Sequence, residues 1–191
     1  MGRVSGTDSW LSWNKAWANP KVLTKYKAEA ERFRDFERNG DLAIYEDVGR
    51  DHDELVSICV KIHESGLLDK IGVDPHGLGS IIEELENADI PSDAIIGISQ
   101  GWKLNGAIKT AERALASGKL IPAKQPMMQW CVGNAKVEPR GNAVSITKQA
   151  SGFAKIDPLV ALFNAVSLLS LNPESRSGFD DFITNPLRIG R

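Results

Sequence analysis

Two cysteines and three histidines in 191 residues leave little room for thiol or soft-metal chemistry. Cys59 and Cys131 lack a C-x-x-C spacing and sit among apolar neighbours, so both are predicted to be reduced core residues of a cytosolic-type protein. None of His52, His63 and His76 stands at a zinc-ligand distance from a cysteine. No run of 18 apolar residues exists, which excludes a membrane-spanning helix, and the first residues have no signal-peptide pattern. There is no GxxxxGK[ST], hence no phosphate-cradling loop for a nucleotide. The glycine-rich stretch Gly72–Gly79 does not fit GxGxxG, and neither Ser99 nor Ser151 has a GxSxG context. Internal repeats and low-complexity segments are absent too.

What is present is an ordinary globular composition, 42% hydrophobic and 25% charged, enough for one domain with a sizeable core. The net charge is only −2, but it is unevenly spread. Residues 1–98 carry 11 Lys/Arg and 19 Asp/Glu, net −8; residues 99–156 carry 9 and 2, net +7. A basic stretch of this kind is a solvated face or a surface for a polyanion, whose phosphates Lys and Arg neutralise.

Hydrophobic periodicity gives the elements. Residues around Ser5–Ser9 read as a hairpin turn between short strands, and the spacing of Trp10, Trp13 and Trp17 favours a strand with a bulge. A helix is predicted from Pro20 to about Asn39, a strand over Asp41–Asp47, and a helix opened by Asp51 and Glu54 as a capping-box-like pair. A strand ending at Asp74 follows, then a helix over about Leu78–Ala88, a strand over Ala94–Ser99 and a helix over Trp102–Ser117. Leu120–Ile121 reads as a short strand, 125–135 as a helix with core methionines, and Val137–Lys148 as a hairpin. A buried helix from Ile156 to Leu171 comes last, before a loose segment from residue 172. Alternating strands and helices predict an α/β fold with helices packed on a central sheet.

The chain is organised around Ser151–Val166, where Asp157 and Pro158 open the last, almost wholly apolar helix. An acid there either caps the helix or ligates a metal. Asp74 poses the same choice, because it ends a buried strand and ligands gather at the carboxyl edge of such sheets. Together the two carboxylates point to a hard divalent cation, Mg²⁺ or Mn²⁺, which takes oxygen ligands and completes its shell with water and substrate phosphates. His76 beside Asp74 reads as a turn residue or a further ligand.

An ordered set of pieces resembles the nuclease domain of the tailed-bacteriophage terminase large subunit, the DNA-packaging motor protein. The pieces are Trp10–Trp17 with Tyr26, Asn39–Leu42, Ile71–Asp74, Ile98–Gly101, Trp130–Val137, and Lys148 with Lys155–Pro158 and Ala161. The resemblance covers about residues 4–172. It implies a ribonuclease H-like mixed sheet flanked by helices over 1–172, a flexible tail over 173–191, and no ATPase domain. The implied function is a metal-dependent endonuclease that cuts concatemeric viral double-stranded DNA. The terminase small subunit and portal protein are the implied partners, and the cytoplasm of the bacterial host the implied location. Asp74 and Asp157 match the second and third acids of the family's metal-binding triad. The strand that carries the first acid corresponds to Met1–Val4, which has none, so that strand is expected to be truncated. Asn134, Lys136, Arg140, Lys148 and Lys155 are expected to contact the DNA backbone. The missing acid leaves a second reading, a catalytically inactive DNA-binding or assembly module. Integrases and junction resolvases also use clustered acids, but no further acid is clearly placed for them here.

Overall fold

The computed structural model describes residues 1–47, 49–76, 79–149 and 154–171. The expected tail, and Ser151–Phe153 before the last helix, lie outside them. Near the N-terminus β1 (Gly2–Arg3) turns back through Val4–Ser9 to pair antiparallel with β2 (Trp10–Ser12). Burial along β2 alternates with the strand period: Trp10 and Ser12 are inside and Leu11 faces out. The bulge suggested by the tryptophan spacing is a break, after which β3 (Ala16–Ala18) runs parallel to β4 (Leu42–Ile44).

The break is stitched by a buried polar network. The amide of Asn14 donates to Gln125 Oε1 at 2.8 Å, and Gln125 Nε2 donates to the Asn14 carbonyl at 2.6 Å and to Asp41 Oδ1 at 2.9 Å. Asp41, only 4% exposed, also accepts from the Met127 amide at 3.2 Å. The carboxylate thus supplies an acceptor to one of the orphan amides at the start of α6 (Pro126–Gly133).

The helix expected over 20–39 is interrupted. It forms α1 (Lys21–Lys25), a 3₁₀ turn over Lys27–Glu29, and α2 (Ala30–Arg38), with Tyr26 at φ −117° and ψ 58° between them. The Tyr26 ring meets Phe33 edge-on at 6.4 Å, a contact that helical periodicity alone does not reveal. Phe33 and Phe36 pack on Trp130 of α6, each at 5.7 Å between ring centres. Burying rings of this size contributes roughly 1.5–3 kcal/mol apiece. Phe33 and Phe36 belong, with Trp10, Leu42, Leu120, Met127, Met128 and Cys131, to the main core, against which Tyr26 and Trp130 pack.

A second, smaller core of Leu85, Ile90 and Ala94 lies between α3 (Arg50–Glu64), α4 (Gly79–Asn87) and the parallel pair β5 (Ile71–Val73) and β6 (Ile95–Gly97). The expected Asp51–Glu54 capping box does not form. Gly49, at φ 98°, is the N-cap of α3, and no side chain caps that end. Glu54 is drawn instead to Lys15 Nζ at 2.6 Å, Trp17 Nε1 at 2.6 Å and the Tyr45 hydroxyl at 3.0 Å. A charged partner and two neutral donors outcompete one backbone amide.

After a 3₁₀ turn over Gly101–Leu104 come α5 (Asn105–Ala116) and β7 (Leu120–Pro122), the latter parallel to β2. The hairpin is longer than expected: β8 (Ala135–Arg140) pairs with β9 (Ala143–Lys148) along its whole length. It is seated on α5, where Asn105 Oδ1 accepts from the Val144 amide at 2.9 Å and Lys109 Nζ donates to the Asn142 carbonyl at 3.2 Å. The last helix, α7 (Asp157–Leu169), buries Leu159, Phe163 and Val166. The molecule is a mixed α/β protein with parallel and antiparallel pairing and helices against its strands, the class expected from the sequence.

Candidate functional site

Strand β5 ends at Val73, so Asp74 is the first residue past the sheet edge, with its side chain 45% exposed. Its Oδ1 accepts from the His76 amide at 3.1 Å and lies 3.1 Å from His76 Nδ1. The amide bond, followed by the imidazole, holds the Asp74 carboxyl below its usual range against the opposing pull of burial. Asp74 therefore stays ionised, as a cation ligand must. His76 is 87% exposed and its contact with Asp74 is local, a turn rather than a lid over the acid.

Asp157 is the first residue of α7, with Pro158 second. The N-cap is Ile156, and no side chain caps the helix, so Asp157 does not spend its carboxylate on helix amides. Its side chain is 72% exposed, and the nearest cation is Lys148 Nζ at 3.9 Å, a loose pair. The thiol of Cys131 on α6 is pushed up to about 12 by burial and then by the charge of Asp157, which leaves it neutral and unreactive.

The elements bearing the two acids pack directly on each other. A Cβ on Gly72 would stand 3.0 Å from Leu168 Cδ1, 3.2 Å from Ile98 Cγ1 and 3.4 Å from the Asn164 carbonyl. Glycine at 72 leaves room for the Leu168 and Ile98 side chains where α7 comes against β5. Asn164, two turns (roughly 10 Å) along α7 from Asp157, is 6% exposed and accepts from Gln100 Nε2 at 3.0 Å. Gln100 also donates to the Ile98 carbonyl at 2.7 Å, which fixes the end of β6 against α7. Neither Asn164 nor Gln100 was singled out from the sequence as a site residue. The available signal was a lone amide inside the apolar run of α7.

Among the described residues, no group of three or more His, Cys, Asp or Glu side chains forms a metal-holding cluster. Asp74 and Asp157 stand as two carboxylates on packed elements, without a contact between them.

The five residues expected to touch DNA lie along the approach to Asp157. Asn134, just after α6, donates through Nδ2 to the Lys155 carbonyl at 3.1 Å and so ties down the lead-in to α7. Lys155 Nζ sits 5.4 Å from the Tyr26 ring centre. Lys136 and Arg140 project from β8 with side chains 61% and 64% exposed, and Lys148 ends β9. Between Lys136 and Arg140 stands Glu138, which the sequence reading passed over.

No protein-family model matches the chain. Over 159 residues it is 24% identical to Protein YmfN of Escherichia coli (strain K12), a match that covers 82% of this chain and 34% of that protein. The fold superposes on the crystal structure of the HK97 bacteriophage large terminase with a TM-score of 0.64 and 19% identity, over 80% of this chain and 32% of the terminase. The chain thus spans about a third of the length of each protein it matches. The fold of this chain is similar to that of part of the HK97 bacteriophage large terminase.

Proposed function

We propose that this chain is a terminase-type nuclease domain that binds double-stranded DNA and hydrolyses its phosphodiester bonds with Mg²⁺ or Mn²⁺. The observation that carries the reading is the packing of β5 on α7, which sets Asp74 and Asp157 on touching elements beside the basic hairpin. Both carboxylates are hard oxygen donors open to solvent, and Asp74 is kept ionised, so the pair suits a magnesium-like ion with water in its remaining positions. Bound there, such an ion would activate water and neutralise charge on the scissile phosphate. The chain's own residues do the rest. Gly72 and the Gln100–Asn164 bond hold strand against helix, Asn134 fixes the segment before Asp157, and Lys148 places a positive charge 3.9 Å from it for a phosphate to meet. Lys136, Arg140 and Lys155 contact backbone phosphates without reading sequence. In a packaging complex the partners would be a terminase small subunit and a portal protein.

The test is nicking of supercoiled plasmid with Mn²⁺. Asp74→Ala and Asp157→Ala are expected to abolish the cleavage of the unaltered chain; equal cleavage by all three would sink the assignment. A second reading, a DNA-binding or assembly module without cleavage, draws on the absence of a third acid from the group among the described residues. It requires DNA affinity that survives Asp74→Ala and no nicking by the unaltered chain.

A further inference from the structure

Residues 99–156 carry nine basic residues and only two acids, Glu112 and Glu138. Glu112 lies exposed on α5. Glu138 is in the middle of β8, on the same strand face as Lys136 and Arg140, because residues two apart share a face. Its Oε1 is 3.5 Å from Lys136 Nζ and its Oε2 is 3.5 Å from Arg140 Nη2. One carboxylate therefore bridges the two cations that the hairpin would offer to a phosphate. It is also the less exposed of the three, at 32% against 61% and 64% for its neighbours. Across the ribbon it is paired with Ser145, which is 6% exposed and whose hydroxyl makes no hydrogen bond to the carboxylate.

From this arrangement we infer that Glu138 is an internal competitor for the phosphate-binding function of Lys136 and Arg140. The inference rests on the DNA-binding reading above and adds its regulation. In the free protein the Glu138 carboxylate occupies the position between the two cations that a backbone phosphate would take. A docking strand must displace it, and it then stands as a like charge beside the phosphate. The effect is to weaken the hairpin's grip and shorten its dwell on DNA, as suits a protein that must release a backbone it does not read. A surface pair of this geometry is weak, so the competition is a tuning device and not a block.

The experiment measures binding of a fluorescent 30-base-pair duplex by anisotropy across a salt series without divalent cations, for the full chain and variants whose folding is checked by circular dichroism. Lys136→Gln/Arg140→Gln is expected to weaken binding ~10-fold or more. Glu138→Gln is expected to tighten it ~3- to 10-fold and to steepen the salt dependence by about one ion. Glu112→Gln, which removes the same charge from the same basic segment but away from the pair, is expected to change affinity less than ~2-fold. Glu138→Ala repeats the test without the amide. If the unaltered chain binds and Glu138→Gln gains no more than Glu112→Gln, the competitor role is overturned while the DNA reading stands. If no variant binds duplex, both fail. Gain in Glu138→Gln that is lost again when Lys136 and Arg140 are also removed supports the inference directly.

Discussion

Glu54 is the residue on which most of the N-terminal region turns. Lys15, Trp17 and Tyr45 all donate to it, and Arg50 lies 5.0 Å from the Tyr45 ring centre. Lys15 first, then Trp17 and Tyr45, hold its carboxyl below the ordinary range against burial. Glu54→Ala leaves three half-buried donors without their acceptor, and is expected to cost ~1–2 kcal/mol in urea unfolding, or about 2–8 °C in Tm. Because the folded value is depressed, this stabilisation is present above the unfolded carboxylate range and fades as pH falls through the lower, folded value. His52 behaves in the opposite sense. Its Nδ1 is 3.0 Å from Glu84 Oε1, a bond that ties α3 to α4 and raises the imidazole above its usual value. Its contribution is full below the unfolded histidine value and is lost as pH rises through the higher folded one. Both partners are partly solvated, at 29% and 39% exposure, so the worth is ~0.5 kcal/mol or less. A Tm-against-pH curve should lose this drop, which lies on the alkaline side of the ordinary histidine value, in His52→Gln.

At the scale of elements, the contact between β5 and α7 determines the relative placement of the two acids. Gly72→Ala puts a methyl group 3.0 Å from Leu168 Cδ1 and 3.2 Å from Ile98 Cγ1, so these side chains must shift by a few tenths of an ångström and the β5–α7 packing tightens. The expected cost is ~1–3 kcal/mol in stability. Nicking activity should fall further than stability explains, since about 1 Å of misplacement can cost ~100-fold in rate. Gly106→Ala is the matched comparison. It lies in α5 with nothing within 4 Å of an added Cβ, and should be neutral or stabilising by up to ~1 kcal/mol with unchanged nicking. Equal nicking by the two variants would show that the β5–α7 spacing does not set the site.

At the scale of the whole molecule, charge is segregated along the chain. The −8 segment builds β1 to β6 and α1 to α4, and the +7 segment builds α5, β7, α6 and the β8–β9 hairpin that leads to Asp157. If the basic segment is the one that meets DNA, log affinity should fall linearly with log salt concentration, with a slope of about −3 to −4 for the contacts of Lys136, Arg140, Lys148 and Lys155. Lys148→Gln/Lys155→Gln should flatten that slope by ~2 and weaken binding to all duplex sequences alike. A change confined to one sequence would contradict backbone recognition. No helix among the described residues is long and apolar enough to cross a membrane.

Local order in this chain was legible from its residues. Periodicity and breakers located the strands and most of the helices, the charge count found the basic segment, and position alone set Asp74 at a strand end and Asp157 at a helix start. These properties depend on neighbours within a few residues, and a sequence records neighbours directly. Other features depended on packing. Lys15 reaches Glu54 across 39 positions, Gln125 reaches Asn14 across 111, and Gln100 reaches Asn164 across 64. The break at Tyr26, the failed Asp51–Glu54 cap and the need for glycine at 72 have the same origin. Each is decided when distant elements compete for one side chain or one volume, and that competition exists only once the chain has folded.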